Sequence, residues 1–183
     1  MQKPTVDQIL SLALAEGLTL NPDFAIVVVR TLPGKVDAFD DWLCILWRDH
    51  DHWEIRLWAC TSDPGLYWLK NPGRVAGTAI LVPGQHDFVI GEHKGVYPCL
   101  TQAKPLATWR DGDRDATLRY GGPIYRDSQG IQIHHAGTVS TVVDKWSAGC
   151  IVIASLADWD AFWRFVVASK WARFTVTLLC NGG

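Results

Sequence analysis

The chain lacks an excess of charge of either sign. Its 17 Lys and Arg against 19 Asp and Glu leave a net charge of −2, with a pI near 6.3. That balance excludes a polycationic nucleic-acid binder and gives no bulk attraction to an anionic wall or membrane surface. No apolar run approaches the length that spans a bilayer. The N-terminal stretch MQKPTVDQILSLALAEGL is interrupted by Asp7 and Glu16 and has no small-residue cleavage site, so no signal peptide is expected. Synthesis in the cytoplasm follows, and a target outside it must be reached by release or delivery. No glycine loop that could cradle a phosphate precedes a helix, which argues against a nucleotide enzyme, and no cofactor is implied. The five cysteines, Cys44, Cys60, Cys99, Cys150 and Cys180, are odd in number and show no close pairing. They do not form a disulfide scaffold.

What is present is apolar surface. Hydrophobic residues make up 48% of the 183-residue chain, enough for one domain over 1–183 with a real core. Thr5-Val6-Asp7-Gln8 reads as a capping box that opens a helix to about Glu16, stopped by Gly17, with Val6, Leu10, Ala13, Leu14 and Gly17 as its inward stripe. FAIVVVR at 24–30 reads as a buried strand. Strands are expected at 42–47 and 53–59, joined by the polar loop Arg48–His52, and again at 77–82, 87–91, 106–110, 117–120 and 130–134. Ser155–Asp158 forms a second capping box, and Trp159, Phe162, Trp163 and Val166 recur behind it at helical spacing. Phe174–Leu179 closes the chain as a strand. The pattern is α+β, a β-rich domain with two helices packed on sheet. Most of the ten tryptophans belong to the core on this reading, and Trp146 is the one placed near a site.

The stretch GIQIHHAGTVSTVVDKWSAGCIVIA, from Gly130 to Ala154, concentrates the chemistry. Ser147-Ala148-Gly149 is a small, permissive turn ahead of Cys150, so backbone can approach a ligand there. A cysteine at such a turn can present its sulfur while the N–H groups of Gly149 and Cys150 face a developing oxyanion. The alternative is a buried cysteine starting the strand Ile151-Val152-Ile153. By the two-residue period Ile131 and Ile133 share one strand face, while Gln132 and His134 share the other. His134 is therefore the expected base and His135 a wall of the cleft.

These residues resemble the L,D-transpeptidase catalytic domain, the YkuD type, in which a β-rich sheet or sandwich carries a cysteine in an S-x-G-C motif with an upstream histidine as its base. The matching residues are Ile133-His134 and Ser147, Gly149, Cys150 and Ile151. The chain departs from the family pattern at Ala148 (usually His), His135 (usually Gly) and Val152 (commonly Arg). The segments Gly77–Gln85, His93–Pro98 and Trp146–Cys150 also resemble small phage and prophage lysin-like proteins. The resemblance implies an acyl-enzyme on Cys150 with His134 as base, through a thiolate–imidazolium pair, acting on the peptide stem of peptidoglycan. Hydrolysis is expected over transfer. His93, Lys94 and Tyr97 are expected to line the cleft or bind a substrate carboxylate, and Asp144 with Lys145 to orient His134 or bind substrate.

Two other readings stand beside it: a phage structural or cell-wall-binding protein without activity, and a cysteine enzyme acting on a cytoplasmic amide. Asp49-His50-Asp51-His52 reads as a solvated loop rather than a metal site. Asp111, Asp113 and Asp115 alternate like the start of a calcium loop, but the sixth position is not glycine and the twelfth is Gly122, so no EF-hand is expected.

Overall fold

In a computed structural model, which describes residues 2–182, the long β-branched and aromatic runs close on one another. The strands are β1 (Ala25–Leu32), β2 (Asp41–Asp49), β3 (His52–Thr61), β4 (Thr78–Leu81), β5 (Gly84–His93), β6 (Tyr97–Gln102), β7 (Leu106–Asp111), β8 (Tyr125–Asp127), β9 (Gln132–His135), β10 (Ile151–Ile153) and β11 (Arg173–Gly182). Eight of them form a closed barrel in the order β1-β11-β5-β6-β9-β10-β3-β2, and β4-β7-β8 make a separate three-stranded sheet. The helices are α1 (Val6–Ala15), α2 (Leu66–Lys70) and α3 (Leu156–Ser169). The α+β, β-rich expectation holds at that level. The sheet-or-sandwich arrangement is replaced by a barrel, because β1 pairs in parallel with β11 and antiparallel with β2, which leaves no free edge.

Two apolar clusters explain why the strands read as they do. The inward residues Ile26, Val28, Leu43, Ile45, Ile133, Ile151, Ile153 and Val176 share one core with Trp159, Phe162 and Val166 of α3. On the outer face of β1 and β2, Val27, Val29, Cys44 and Leu46 pack with Ile9 and Ala13 of α1. β1 is thus covered on both faces, which is why its sequence is continuously apolar rather than alternating. Both N-caps form as expected: Thr5 accepts the Gln8 N–H at 3.3 Å, and Ser155 accepts the Asp158 N–H at 3.2 Å.

Two expectations are corrected, and two strands form where none is expected. Ile9 is the buried centre of α1, and Leu14 is 79% exposed, so the inward stripe is rotated toward Ile9 and Ala13. Residues 117–120 form no strand: Arg119 folds back onto Asp113 at 2.9 Å and Asp115 at 2.8 Å. The three alternating aspartates therefore wrap an arginine, with Asp111 accepting the Arg119 N–H at 3.1 Å. β6 was unanticipated because Pro98 sits in it. On its β9 side β6 pairs only through Leu100 and Thr101, so Pro98 lies beyond that paired stretch, where a missing donor is tolerated. β8 also forms, where no alternation marked it.

The 61–65 segment that follows β3 is buried from Thr61 to Gly65. Fully buried Arg30 donates to Ser62 Oγ and O at 2.9 Å each, and to the Leu81 carbonyl at 2.8 Å. Asp63 lies 3.2 Å from Arg30 Nε, within ion-pair distance but without hydrogen-bond alignment, and its other oxygen accepts from Tyr120 at 2.7 Å. Asp41 accepts from Thr31 N at 2.8 Å and from Ser62 N and Oγ at 2.7 and 2.6 Å. Two buried carboxyls thus lie around one guanidinium, Asp63 in direct ion-pair contact and Asp41 linked to it through Ser62. Burial, and then the neighbouring Asp63 charge, raise the Asp41 carboxyl above the usual carboxylate range. A carboxyl raised in the folded state contributes stability that is complete below its unfolded pKa and is lost as pH rises through its folded one. Relative to Asp41→Asn, which has no such titration, the parent protein is therefore expected to gain melting temperature from mildly alkaline to mildly acidic buffer. Calorimetry on both proteins showing the opposite slope in their difference would contradict this protonation state.

Candidate functional site

Parallel pairing of β9 with β10 sets Ile151 against Ile133 and Val152 against His134. With both isoleucines in the barrel core, His134 is on the outer face, and Cys150, one residue before Ile151, precedes β10 on that same side. The face argument from the sequence therefore holds for His134. The histidine is not open to solvent, however: it is only 2% exposed. The β5–β6 hairpin folds over it and stacks His93 on its ring at 4.2 Å between centroids.

The S-A-G-C turn is held by Ser147. Its buried hydroxyl donates to the Cys150 carbonyl at 2.8 Å and accepts the Gly149 N–H at 3.1 Å. Gly149 has φ 116°, and a Cβ there would sit 2.5 Å from the Ala79 carbonyl oxygen, so only glycine fits. This corrects the expected oxyanion pair, because the Gly149 N–H is already satisfied inside the turn. Ser147→Ala removes both bonds from a buried site. It is expected to cost about 1–3 kcal/mol of stability, read by denaturant unfolding. An unchanged unfolding midpoint would mean the hydroxyl does not hold the turn.

The Cys150 residue is half-buried, and its thiol donates a long S–H···O contact to the Gly130 carbonyl at 3.8 Å. Burial pushes the thiol up to about 11, partly offset by the Gln132 N–H and the Lys94 charge. The Nδ1 of His134 lies 2.9 Å from the His135 carbonyl and donates to it, which assigns the tautomer and leaves Nε2 as a lone-pair acceptor. Burial, only partly offset by that bond, pushes His134 down to about 3, so the ring is neutral. Among the described residues no hydrogen bond joins the Cys150 sulfur to a histidine nitrogen. At rest the pair is a neutral thiol and a neutral imidazole, not the expected thiolate and imidazolium.

The remaining sequence-predicted residues divide. His93 Nδ1 binds Gln132 Oε1 at 2.6 Å, and Gln132 Nε2 donates to the Glu92 carbonyl at 3.2 Å, so the hairpin is tied to β9. The Tyr97 ring lies tilted against His135 at 4.3 Å, and its hydroxyl donates to the His135 carbonyl at 3.4 Å. His135 also faces Trp159 of α3 at 5.8 Å. Lys94 is exposed at the hairpin tip. Asp144 does not orient His134. Its backbone N–H is bound by the Asp37 carboxylate, and its carbonyl lies where a Cβ on Gly65 would be, so it shapes the turn. The orienting acceptor is the His135 carbonyl instead. Lys145 lies over the Tyr67 ring at 4.5 Å. Trp146 is 44% exposed, the one exposed tryptophan, and packs over Gly137.

Sequence reasoning did not place Gln132, Arg74 or Arg110 beside the Cys150 turn. For Gln132 the signal existed, since it shares the His134 face. For the arginines there was none, because they reach the site from the separate sheet and from the turn after α2. A cleft of about 200 Å³ beside the Cys150 turn is lined by Arg74, Gly77, Ala79, Arg110, Gln129 and Ala148, among others. His50, on the expected solvated loop, is at the β2–β3 turn with its ring in water. Among the described residues no helix is long and apolar enough to cross a membrane, and no three His, Cys, Asp or Glu side chains cluster as metal ligands. No protein-family model, curated protein or solved structure matches the chain.

Proposed function

We propose that the protein is a cysteine-dependent acyl-transfer enzyme that cleaves an amide of the peptidoglycan peptide stem, with Cys150 as nucleophile and His134 as base. The observation that carries this reading is the His134 Nδ1–H bond to the His135 carbonyl. It leaves Nε2 free to take a proton on the barrel face where the S-A-G-C turn delivers Cys150. Because thiol and imidazole are both neutral at rest, the proton moves to His134 only as the sulfur attacks the carbonyl carbon. The tetrahedral intermediate then collapses, the amine leaves with the proton from His134, and the acyl group remains on Cys150 as a thioester. Water assisted by the same imidazole releases the acid, or an amine takes the acyl group in a transpeptidation. The Cys150 N–H is the donor that this turn offers the oxyanion.

Substrate contact must first move the thiol from the Gly130 carbonyl toward His134. Catalytic hydrogen bonds are often long or misaligned before substrate binds. The same resting geometry favours a second reading, a wall-binding or phage structural protein in which Cys150 packs and does not react. Digestion of purified peptidoglycan, with mass analysis of the products, separates the two. The enzyme releases stem fragments cut at one amide, whereas the binding module sediments with the wall and releases none.

A further inference from the structure

The cleft beside the Cys150 turn is built for an anion. Its floor comes from Gly73, Gly77, Ala79 and Ala148, residues without side chain beyond Cβ, and its only charged lining is Arg74 and Arg110. No carboxylate lines it. The Arg110 side chain is 5% exposed, and its buried Nε–H has no hydrogen-bond partner. Its other nitrogens donate to the Gly77 carbonyl at 3.2 Å, to Asp127 at 3.4 Å and to Gln129 Oε1. Arg74 donates to the same Asp127 at 2.8 Å. Two guanidiniums thus share one carboxylate that stands outside the lining, and the group carries an uncompensated positive charge. What the cleft meets is therefore the unbalanced positive charge of the pair, which an anion offsets.

The cleft and the thiol are flanked by the same two segments. Gln129 lines the cleft, and the next residue, Gly130, accepts from the Cys150 thiol. Ala148 lines it two residues before Cys150. We propose that Arg74 and Arg110 bind a carboxylate of the peptide acyl donor, positioning its scissile amide beside Cys150. The carboxylate specificity rests on the acyl-transfer reading above. Arg74, half exposed with one terminal nitrogen on Asp127, keeps further donors of its planar fork for a carboxylate, and buried Arg110, whose terminal nitrogens are engaged, adds its charge.

The test uses the full chain carrying Cys150→Ala, so that binding is read without turnover. A peptidoglycan stem tetrapeptide and the same peptide with its carboxylates amidated are titrated by calorimetry. The acid form is expected to bind at least about tenfold more tightly than the amide. Arg74→Gln, whose side chain is 52% exposed and so removable without unfolding, should bring the two affinities together. Arg110→Gln should do the same, and Arg110→Lys should restore part of the preference. Equal affinity for acid and amide with both arginines present, or binding of neither, would overturn the proposal. Turnover of the same peptide by the unaltered protein is measured alongside. Turnover without acid preference would remove the arginine site and keep the cysteine reading, and acid-selective binding without turnover would do the reverse.

Discussion

Cys150→Ala is expected to abolish release of stem peptides, by at least about 10⁴-fold, while leaving the unfolding midpoint close to that of the parent. The asymmetry follows from where the sulfur sits. At Cys150 it ends a turn held by Ser147 and contributes one long contact at 3.8 Å to Gly130, so its removal takes little from the fold. Cys44 and Cys60 are sealed in the barrel walls, and burial raises both thiols far beyond reactivity. Cys44→Ala and Cys60→Ala leave small cavities and should each cost on the order of 1 kcal/mol, with activity per folded molecule retained. Cys180→Ala, at a half-buried site, should behave similarly with a smaller stability loss. Unfolding and product release measured on all four variants check the contrast. If all four lose activity in proportion to stability, Cys150 is a packing residue.

His134→Ala should slow turnover by about 10²–10⁴-fold, the range for loss of a general base, and His135→Ala by much less. His135 is engaged by Tyr97 and Trp159 on the α3 side of β9, and its carbonyl, which orients His134, survives the substitution. The pH dependence carries its own sign. With Cys150 pushed up to about 11, alkylation of its thiol in the free protein should climb through the alkaline range. With His134 pushed down to about 3, its protonation cannot produce an acid limb near neutrality. Iodoacetamide labelling followed by peptide mapping reads the first point. A labelling plateau that extends to acidic pH would mean a preformed thiolate–imidazolium pair, contrary to the geometry described. Loss of turnover from His135→Ala and not His134→Ala would move the base by one residue.

Several local features are legible in the residues alone. The Thr5 and Ser155 caps, the β-branched run of β1 and the two-residue period that turns His134 away from Ile131 and Ile133 depend only on near neighbours in the chain. The barrel was not legible, because closure depends on β1 meeting β11 across nearly the whole chain, and no short pattern records a parallel pairing. The stacking of His93 on His134 has the same origin, since His93 and its β9 partner Gln132 are 39 residues apart in the chain. Burial of the thiol and imidazole, and hence their neutral resting state, is a tertiary effect. It reversed the charge state that residue types alone suggest. Arg110 gave no signal because an arginine in a strand reads as a solvated face. Only the fold shows it buried beside a cleft.

The central claim is that the Cys150 sulfur forms a bond to substrate. The most direct measurement is rapid acid quenching of the protein with stem peptide, followed by intact-mass analysis and peptide mapping. The account predicts a mass increase equal to the acyl portion of the peptide, localised to the tryptic peptide containing Cys150 and absent from Cys150→Ala. It also predicts faster accumulation in the parent than in His134→Ala. Product release with no covalent adduct at any quench time, or an adduct on another residue, would contradict it.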